Sequence, residues 1–288
     1  MEPGKTPLAL AAEIERNVLA ALAEDIGSGD VTALLTPANR RSQGTVICRE
    51  EAVLAGQAWF NACFSHLDPS AKIIWMAQDG DLIKAGQTLC EIDANTRALL
   101  TAERAALNFV QLLSATATTT RAYVDAVRGT KAHIVDTRKT LPGLRLAQKY
   151  AVTCGGGKNH RLGLYDGLLI KENHIIAAGG VVPALERARA IVHGIQNGVF
   201  IQIEVETLTQ LTDALDAGAT MILLDNMSLD EMRAAVSLTA GRAALEASGG
   251  VNLTTVRSIA QTGVDRISIG SLTKDVNAID LSLRHSEA

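Results

Sequence analysis

"FIQIEVETLTQLTDALDAGATMILLDNMSLDEMRAAVSLTAGRAALEASGG", Phe200 to Gly250, decides the fold of this 288-residue chain. Short apolar runs, FIQIEVE, TMILLDN and AALEASGG, alternate with amphipathic helical stretches, LTQLTDALDAG and LDEMRAAVSLTAG. Continuous apolar strands separated by helices imply a parallel sheet covered on its faces. Glu204, Asp225, Glu246 and Ile267 recur 21 residues apart, the period of one βα unit.

The pattern extends outward in both directions. AHIVDT, GLLIKEN and DRISIGS bring the expected strands to six, with helices VVPALERARAIVHG and NLTTVRSIAQTG between them. Six strands from about residue 130 onward are too few for an eight-stranded barrel, so a reduced, irregular barrel or an open sheet is expected. Before residue 130 the pattern differs. Leu8, Ala11, Ile14, Val18, Leu22 and Ile26 keep helical spacing until GSGD stops them. GTVICREEAVLAG and KIIWMAQDGDLIKAGQTLCEID read as strands around the helical QAWFNACFSHL. A long helix, NTRALLTAERAALNFVQLLSATA, follows, and the hydroxyls of TTT are positioned to cap another, RAYVDAVRG. This half reads as α+β.

Composition limits the partners. At 47% hydrophobic and 20% charged residues the chain is a folded globular protein. A pI near 5.9 and 3% aromatics leave neither the basic field nor the stacking platforms of a nucleic-acid binder. The N-terminus lacks a basic segment ahead of an uninterrupted apolar core, and no apolar run reaches about 20 residues. No nucleic acid and no membrane are expected, and a cytoplasmic location is. Cys48, Cys63, Cys90 and Cys154 form no CxxC pair and fit reduced thiols. Cys154, inside the cationic stretch, is weighed as a nucleophile but has no base at local spacing and reads as a small packing residue.

Charge is distributed unevenly. Asp136 to Lys171 holds seven Lys or Arg against two acids, +5 in 36 residues, while the chain totals −4, so the remainder sums to −9. A local cation cluster suits a small, highly charged anion. Arg138, Lys139, His160, Arg161 and Lys171 are its core, with CGGGKNH letting backbone approach a ligand. Arg145 and Lys149 lie on a helical segment and are expected on a solvated face.

Each expected strand ends in a polar or glycine residue: Asp136 to Lys139, Lys171, Glu204 and Glu206, Asp225 and Asn226, Ser248-Gly249-Gly250, and Gly270-Ser271. Ligands of parallel α/β folds bind outside the carboxyl ends of the strands. The glycines and hydroxyls of SGGVNLTT and SIGSLT read as a phosphate cradle at helix N-termini, or else as tight βα turns. Glu204 and Asp225 end adjacent strands and suit Mg²⁺ shared with substrate phosphates, or ion pairs to Lys139 or Lys171. A Schiff-base aldolase using Lys171 and a non-catalytic phosphometabolite binder are the competing readings.

DTRKTLPGLR, KYAVTCGGGKNHRLGLYDGLLIKENHI, IEVE, LLDN, EASGG and ISIGSLT, in this order, closely resemble quinolinate phosphoribosyltransferase. SGDVT (28–32) and TAERAALNF (101–109) extend the resemblance over nearly the whole chain. It implies an N-terminal α/β sandwich domain, residues 1–120, and a reduced α/β barrel, residues 121–272, with the tail 273–288 packed back on the first domain. The implied reaction joins quinolinate and phosphoribosyl pyrophosphate, with Mg²⁺, to give nicotinate mononucleotide, pyrophosphate and CO2. Thr137, Arg138, His160, Arg161 and Lys171 would surround quinolinate; Lys139, Glu204, Asp225, Ser248, Gly249, Gly250 and Gly270 would hold the phosphoribosyl ligand. Glu204 and Asp225 would carry the metal, and Lys139 and Lys171 would join them in catalysis. The resemblance further implies a homodimer with shared active sites, Arg104 entering the partner's.

Overall fold

The computed structural model describes residues 8–195 and 198–287; the first residues of the expected N-terminal domain and the last of the expected tail lie outside them. Two compact units divide the chain: 1–121 with 140–156 and 272–288, and 122–139 with 157–271.

The first unit layers helices on an antiparallel sheet. In chain order its elements are α1 (Leu8–Ile26), β1 (Arg41–Cys48), β2 (Ala52–Val53), α2 (Gln57–Leu67), β3 (Lys72–Trp75), β4 (Leu82–Ile83), β5 (Thr88–Asn95) and α3 (Thr96–Ala126). The C-terminal strand Leu281–Glu287 pairs antiparallel with β1, which pairs with β5, which pairs with β3. Strand β1 buries alternate residues, so one face of the sheet is apolar and must be covered. Trp59, Phe60 and Phe64 of α2 and Leu99, Leu107 and Leu113 of α3 supply that cover and are all buried.

Two expectations from sequence fail here. Thr118 and Thr120 do not cap a new helix, because α3 runs unbroken for 31 residues. Their hydroxyls instead donate to the carbonyls of Ser114 and Thr116, one turn back, which satisfies them inside a helix. Lys149, expected on a solvated face, is fully buried on α4 (Arg145–Cys154). Helix α4 packs in the first unit, where Ala147 and Ala151 enter the core. Gln148 on the same helix is also fully buried and donates to the carbonyl of Thr273. A helix enclosed on several sides has no free polar face, whatever its local pattern.

The second unit is an α/β barrel of six parallel strands, β6 (His133–Val135), β7 (Gly167–Ile170), β8 (Phe200–Val205), β9 (Met221–Asp225), β10 (Ala244–Ser248) and β11 (Arg266–Ser268). Their order is β6-β11-β10-β9-β8-β7. Helices α5 (Glu172–Ala178), α6 (Val181–His193), α7 (Leu208–Asp216), α8 (Leu229–Thr239) and α9 (Val256–Ala260) make the returns. Beyond β6 the next backbone partner is Lys158, which donates to Ile134 O and accepts from Asp136 N. Arg161, three residues on, donates from Nη1 to the carbonyl of Gly167 at the start of β7. The segment 158–161 thus bridges the two outermost strands, where a full barrel would have more strands. Among the described residues no helix is long and apolar enough to cross a membrane.

Candidate active site

Strand register assembles the acidic side. Ile170 pairs with Ile203, so Lys171 follows beside Glu204, and Lys171 Nζ lies 3.6 Å from Glu204 Oε2. Glu204 pairs with Leu223, which puts Asp225 two residues further along its strand on the same face. Burial is the main cause that pushes the Glu204 carboxyl above its usual range; Lys171 opposes it, while the charges of Asp225 and Glu206 add to it. Two carboxylates near enough to repel, one of them half-desolvated, fit a divalent cation that takes its other ligands from water and phosphate. No group of three metal-ligating side chains occurs among the described residues.

Ser248 pairs with Asp225 and leads into Gly249 and Gly250, both at positive φ. Gly249 packs against Asn226, and a Cβ there would collide with the asparagine side chain. Asn226 itself adopts a left-handed φ of 54°, which asparagine tolerates better than most residues. It donates from Nδ2 to Asp225 Oδ2 at 2.9 Å and from its backbone to Ser248 O at 3.0 Å. Gly270 is crossed by the stem of Lys139: a Cβ would stand 3.0 Å from Lys139 Cδ and 3.7 Å from Thr137 Oγ1. Beside it, Ser271 Oγ is buried without a hydrogen-bond partner among the described residues, as suits a hydroxyl that waits for a ligand.

The cradle is built less on helix dipoles than the sequence suggests. Helix α9 begins only at Val256, and the turn before it is organised by Asn252 Oδ1, which accepts from Thr254 N and Thr255 N. Only α10 (Ser271–Lys274) starts directly at its glycine, and it is a single turn.

The cationic side rests on the bridging segment. Asp136 is fully buried at the end of β6 and accepts from Asn159 Nδ2 at 2.7 Å and from His160 N at 2.8 Å. Asp166 holds the following turn through Leu162 N and Gly163 N. The Arg161 guanidinium is pushed below its usual range by burial and then by the charge of Arg138. Two guanidiniums that feel each other in a partly desolvated place are arranged for an anion. His160 differs from expectation: it is buried, with Nδ1 accepting from Arg161 N and Nε2 2.7 Å from Gln202 Oε1. Both ring nitrogens are spent within the chain.

Other sequence candidates separate. Lys171 is half-exposed and ion-paired, unlike the desolvated amine of a Schiff-base site. Burial pushes the Cys154 thiol up to about 12, the reverse of an activated nucleophile. Arg104, on α3 of the first unit, is exposed and forms no ion pair among the described residues. It lines a cavity of about 350 Å³ with Arg16, Glu24, Asp25, Asn108 and Gly143. Sequence reasoning missed Gln202 and Glu246, both fully buried, and gave Asp136 and Asn226 no task. A glutamate inside the apolar run of β10 was a visible signal; Gln202 had none.

Comparison with known proteins agrees along the whole chain. Residues 30–114 match the family model described as quinolinate phosphoribosyl transferase, N-terminal domain, and residues 116–284 match that of the C-terminal domain. The probable nicotinate-nucleotide pyrophosphorylase [carboxylating] of Bacillus subtilis is 41% identical over 260 residues, 90% of this chain and 89% of that one. The chloroplastic nicotinate-nucleotide pyrophosphorylase [carboxylating] of Arabidopsis thaliana is 40% identical over 92% of this chain and 80% of its own. The solved nicotinate-nucleotide pyrophosphorylase from Francisella tularensis superposes with a TM-score of 0.93 at 42% identity, covering 99% of this chain and 100% of that one.

Proposed function

The chain belongs to the quinolinate phosphoribosyltransferase family, and from that premise we infer the work of each side of the site. The enzyme transfers the phosphoribosyl group of phosphoribosyl pyrophosphate to quinolinate with decarboxylation, giving nicotinate mononucleotide, pyrophosphate and CO2. The observation that carries the assignment of sides is that the Arg161 guanidinium feels the charge of Arg138, whereas the Glu204 carboxyl feels that of Asp225.

Arg138 and Arg161 seat the two carboxylates of quinolinate, with Thr137 and Lys171 beside them. Guanidinium forks fix a planar dicarboxylate in orientation as well as in place. His160 contributes through the loop it holds. Lys139, Ser248, Gly249, Gly250 and Gly270 receive the phosphates: glycines admit backbone N–H groups close to the anion, and Lys139 adds a point charge. Glu204 and Asp225 hold Mg²⁺ and the ribose hydroxyls, Asn226 keeping the Asp225 carboxylate oriented. The metal, when bound, supplies positive charge to the departing pyrophosphate.

Positioning then does most of the chemistry. The ring nitrogen of quinolinate attacks the anomeric carbon as pyrophosphate leaves, and the site's carboxylates lie near the ribose, where positive charge develops. Loss of CO2 leaves an electron pair beside the new pyridinium nitrogen, whose own charge stabilises it, so no organic cofactor is needed. Arg104 reaches the quinolinate end of the partner's site in a two-fold dimer, which makes the exchange reciprocal. Incubation with quinolinate, phosphoribosyl pyrophosphate and Mg²⁺ tests the reading. Nicotinate mononucleotide and CO2 are expected in equal amounts; pyrophosphate release without the nucleotide overturns it.

A further inference from the structure

Beneath the site lies a buried polar chain that the reaction as described does not use. Arg161 N donates to His160 Nδ1 at 2.7 Å, so that nitrogen carries no proton. The proton of the imidazole therefore sits on Nε2, 2.7 Å from Gln202 Oε1, which must accept it. That fixes the Gln202 amide, whose Nε2 donates to Glu246 Oε2 at 3.2 Å. Arg266 Nε stands 3.0 Å from the same oxygen as an ion pair rather than an aligned hydrogen bond, and neutralises it. The other oxygen, Glu246 Oε1, is 3.7 Å from His160 Nε2 and accepts no hydrogen bond. Gln202 and Glu246 are fully buried, and Phe200 packs its ring edge-on to the imidazole at 5.7 Å.

Each link has one direction. Reversal of the Gln202 amide would aim its NH2 at a protonated Nε2 and its oxygen at a carboxylate. A proton on Nδ1 would meet the Arg161 N–H head-on. Such a chain resists alternatives because a buried polar group with the wrong partner is costly.

We propose that Gln202 and Glu246 are positioning residues of the quinolinate end: they lock His160 as the Nε2–H tautomer, and its bare Nδ1 fixes the main chain of Arg161. The Arg161 side chain, anchored from Nη1 on Gly167 O, then stands in one place relative to Arg138. The bridging segment has no regular strand to hold it, and this chain replaces the missing ladder. The inference rests on Arg161 as a quinolinate ligand. Its expected effect falls on quinolinate, since the hydrogen bonds of the chain lead through His160 to Arg161, although Gln202 shares β8 with Glu204 and Glu246 shares β10 with Ser248.

The test has two arms. In ligand-free, ¹⁵N-histidine-labelled wild-type enzyme, His160 is assigned by the loss of its signals on His160→Asn. It should show a pyridine-type Nδ1 and a pyrrole-type Nε2; a proton on Nδ1 overturns the proposal without any substrate present. In steady-state kinetics, Gln202→Met removes the acceptor at nearly constant volume. Quinolinate KM should rise about tenfold, the size of one oriented hydrogen bond, with the KM for phosphoribosyl pyrophosphate unchanged. Glu246→Gln keeps an acceptor for the Gln202 amide, so the tautomer should persist and quinolinate KM should rise less. An unchanged quinolinate KM in Gln202→Met, or an equal rise for both substrates, overturns the positioning role. The NMR arm needs no turnover, so its failure is distinct from failure of the quinolinate assay.

Discussion

Lys171 Nζ stands 3.6 Å from Glu204 Oε2 at the ends of two paired strands, and the ion pair does not restore the carboxyl to its ordinary range. Burial and the charge of Asp225 win over the lysine. A folded-state pKa above the unfolded one means that the protonated form is favoured by folding and the ionised form is a burden at higher pH. Glu204→Gln should therefore raise Tm at pH 7 to 8, and the gain should shrink as pH falls through the carboxylate range. Turnover should fall on the order of 100-fold or more in the same variant. A thermal scan across pH with matched assays checks both; a Tm lower than wild type at neutral pH would return Glu204 to a structural role.

Gly270 and Gly249 should fail differently. In Gly270→Ala the methyl meets the flexible stem of Lys139, so the fold survives and the lysine moves. The KM for phosphoribosyl pyrophosphate should rise about tenfold, one charge-assisted contact, with quinolinate KM little changed. In Gly249→Ala the methyl meets Asn226 at a φ of 99°, and stability should drop by about 1–3 kcal/mol in urea unfolding.

Nicotinate, with one carboxylate, leaves one of the two guanidiniums without its anion. Loss of one partner of a desolvated charge pair costs about 2–5 kcal/mol, so kcat/KM with nicotinate should be lower by that amount. Comparable use of the two acids would sink the assignment of Arg138 and Arg161.

The thiols should be silent. Burial pushes Cys63, Cys90 and Cys154 up to about 12 and raises Cys48 as well. At pH 8 the thiolate fraction of a group at about 12 is on the order of 10⁻⁴. A colourimetric thiol reagent should find almost no reaction in the native protein and all four cysteines after unfolding.

Arg104 and Lys171 test the shared site. Arg104→Ala and Lys171→Ala should each be nearly inactive. Unfolded and refolded together, they should recover about a quarter of wild-type sites, since about half the dimers are mixed and each has one intact site. Mixed dimers confirmed by mass without recovered activity would exclude Arg104 from a partner's site.

Much of this was legible in the sequence for a physical reason. Six apolar runs, each ending in a polar residue or glycine, specify parallel strands and the end at which chemistry gathers, because the pattern is local and repeats. Lys171, Glu204, Asp225, Ser248 and Gly270 could be named from that rule alone. Caps and hydroxyls were less legible: TTT reads as a helix start, yet a threonine can equally return its hydroxyl to its own helix, and only the neighbouring carbonyls choose.

What the tertiary structure alone decided is long-range. The 21-residue spacing aligns Glu204 with Asp225, but the hydrogen-bond ladder pairs Glu204 with Leu223, and register belongs to the sheet rather than to the repeat. Lys149 follows an amphipathic reading until its helix is enclosed by the first unit. His160 reads as a ligand residue by its place in GGGKNHR; Gln202, 42 residues away, and Glu246 claim its ring instead. Sequence carries periodicity and chemistry type, whereas the partner of a buried polar atom depends on which strands meet, and that exists only once the chain has folded.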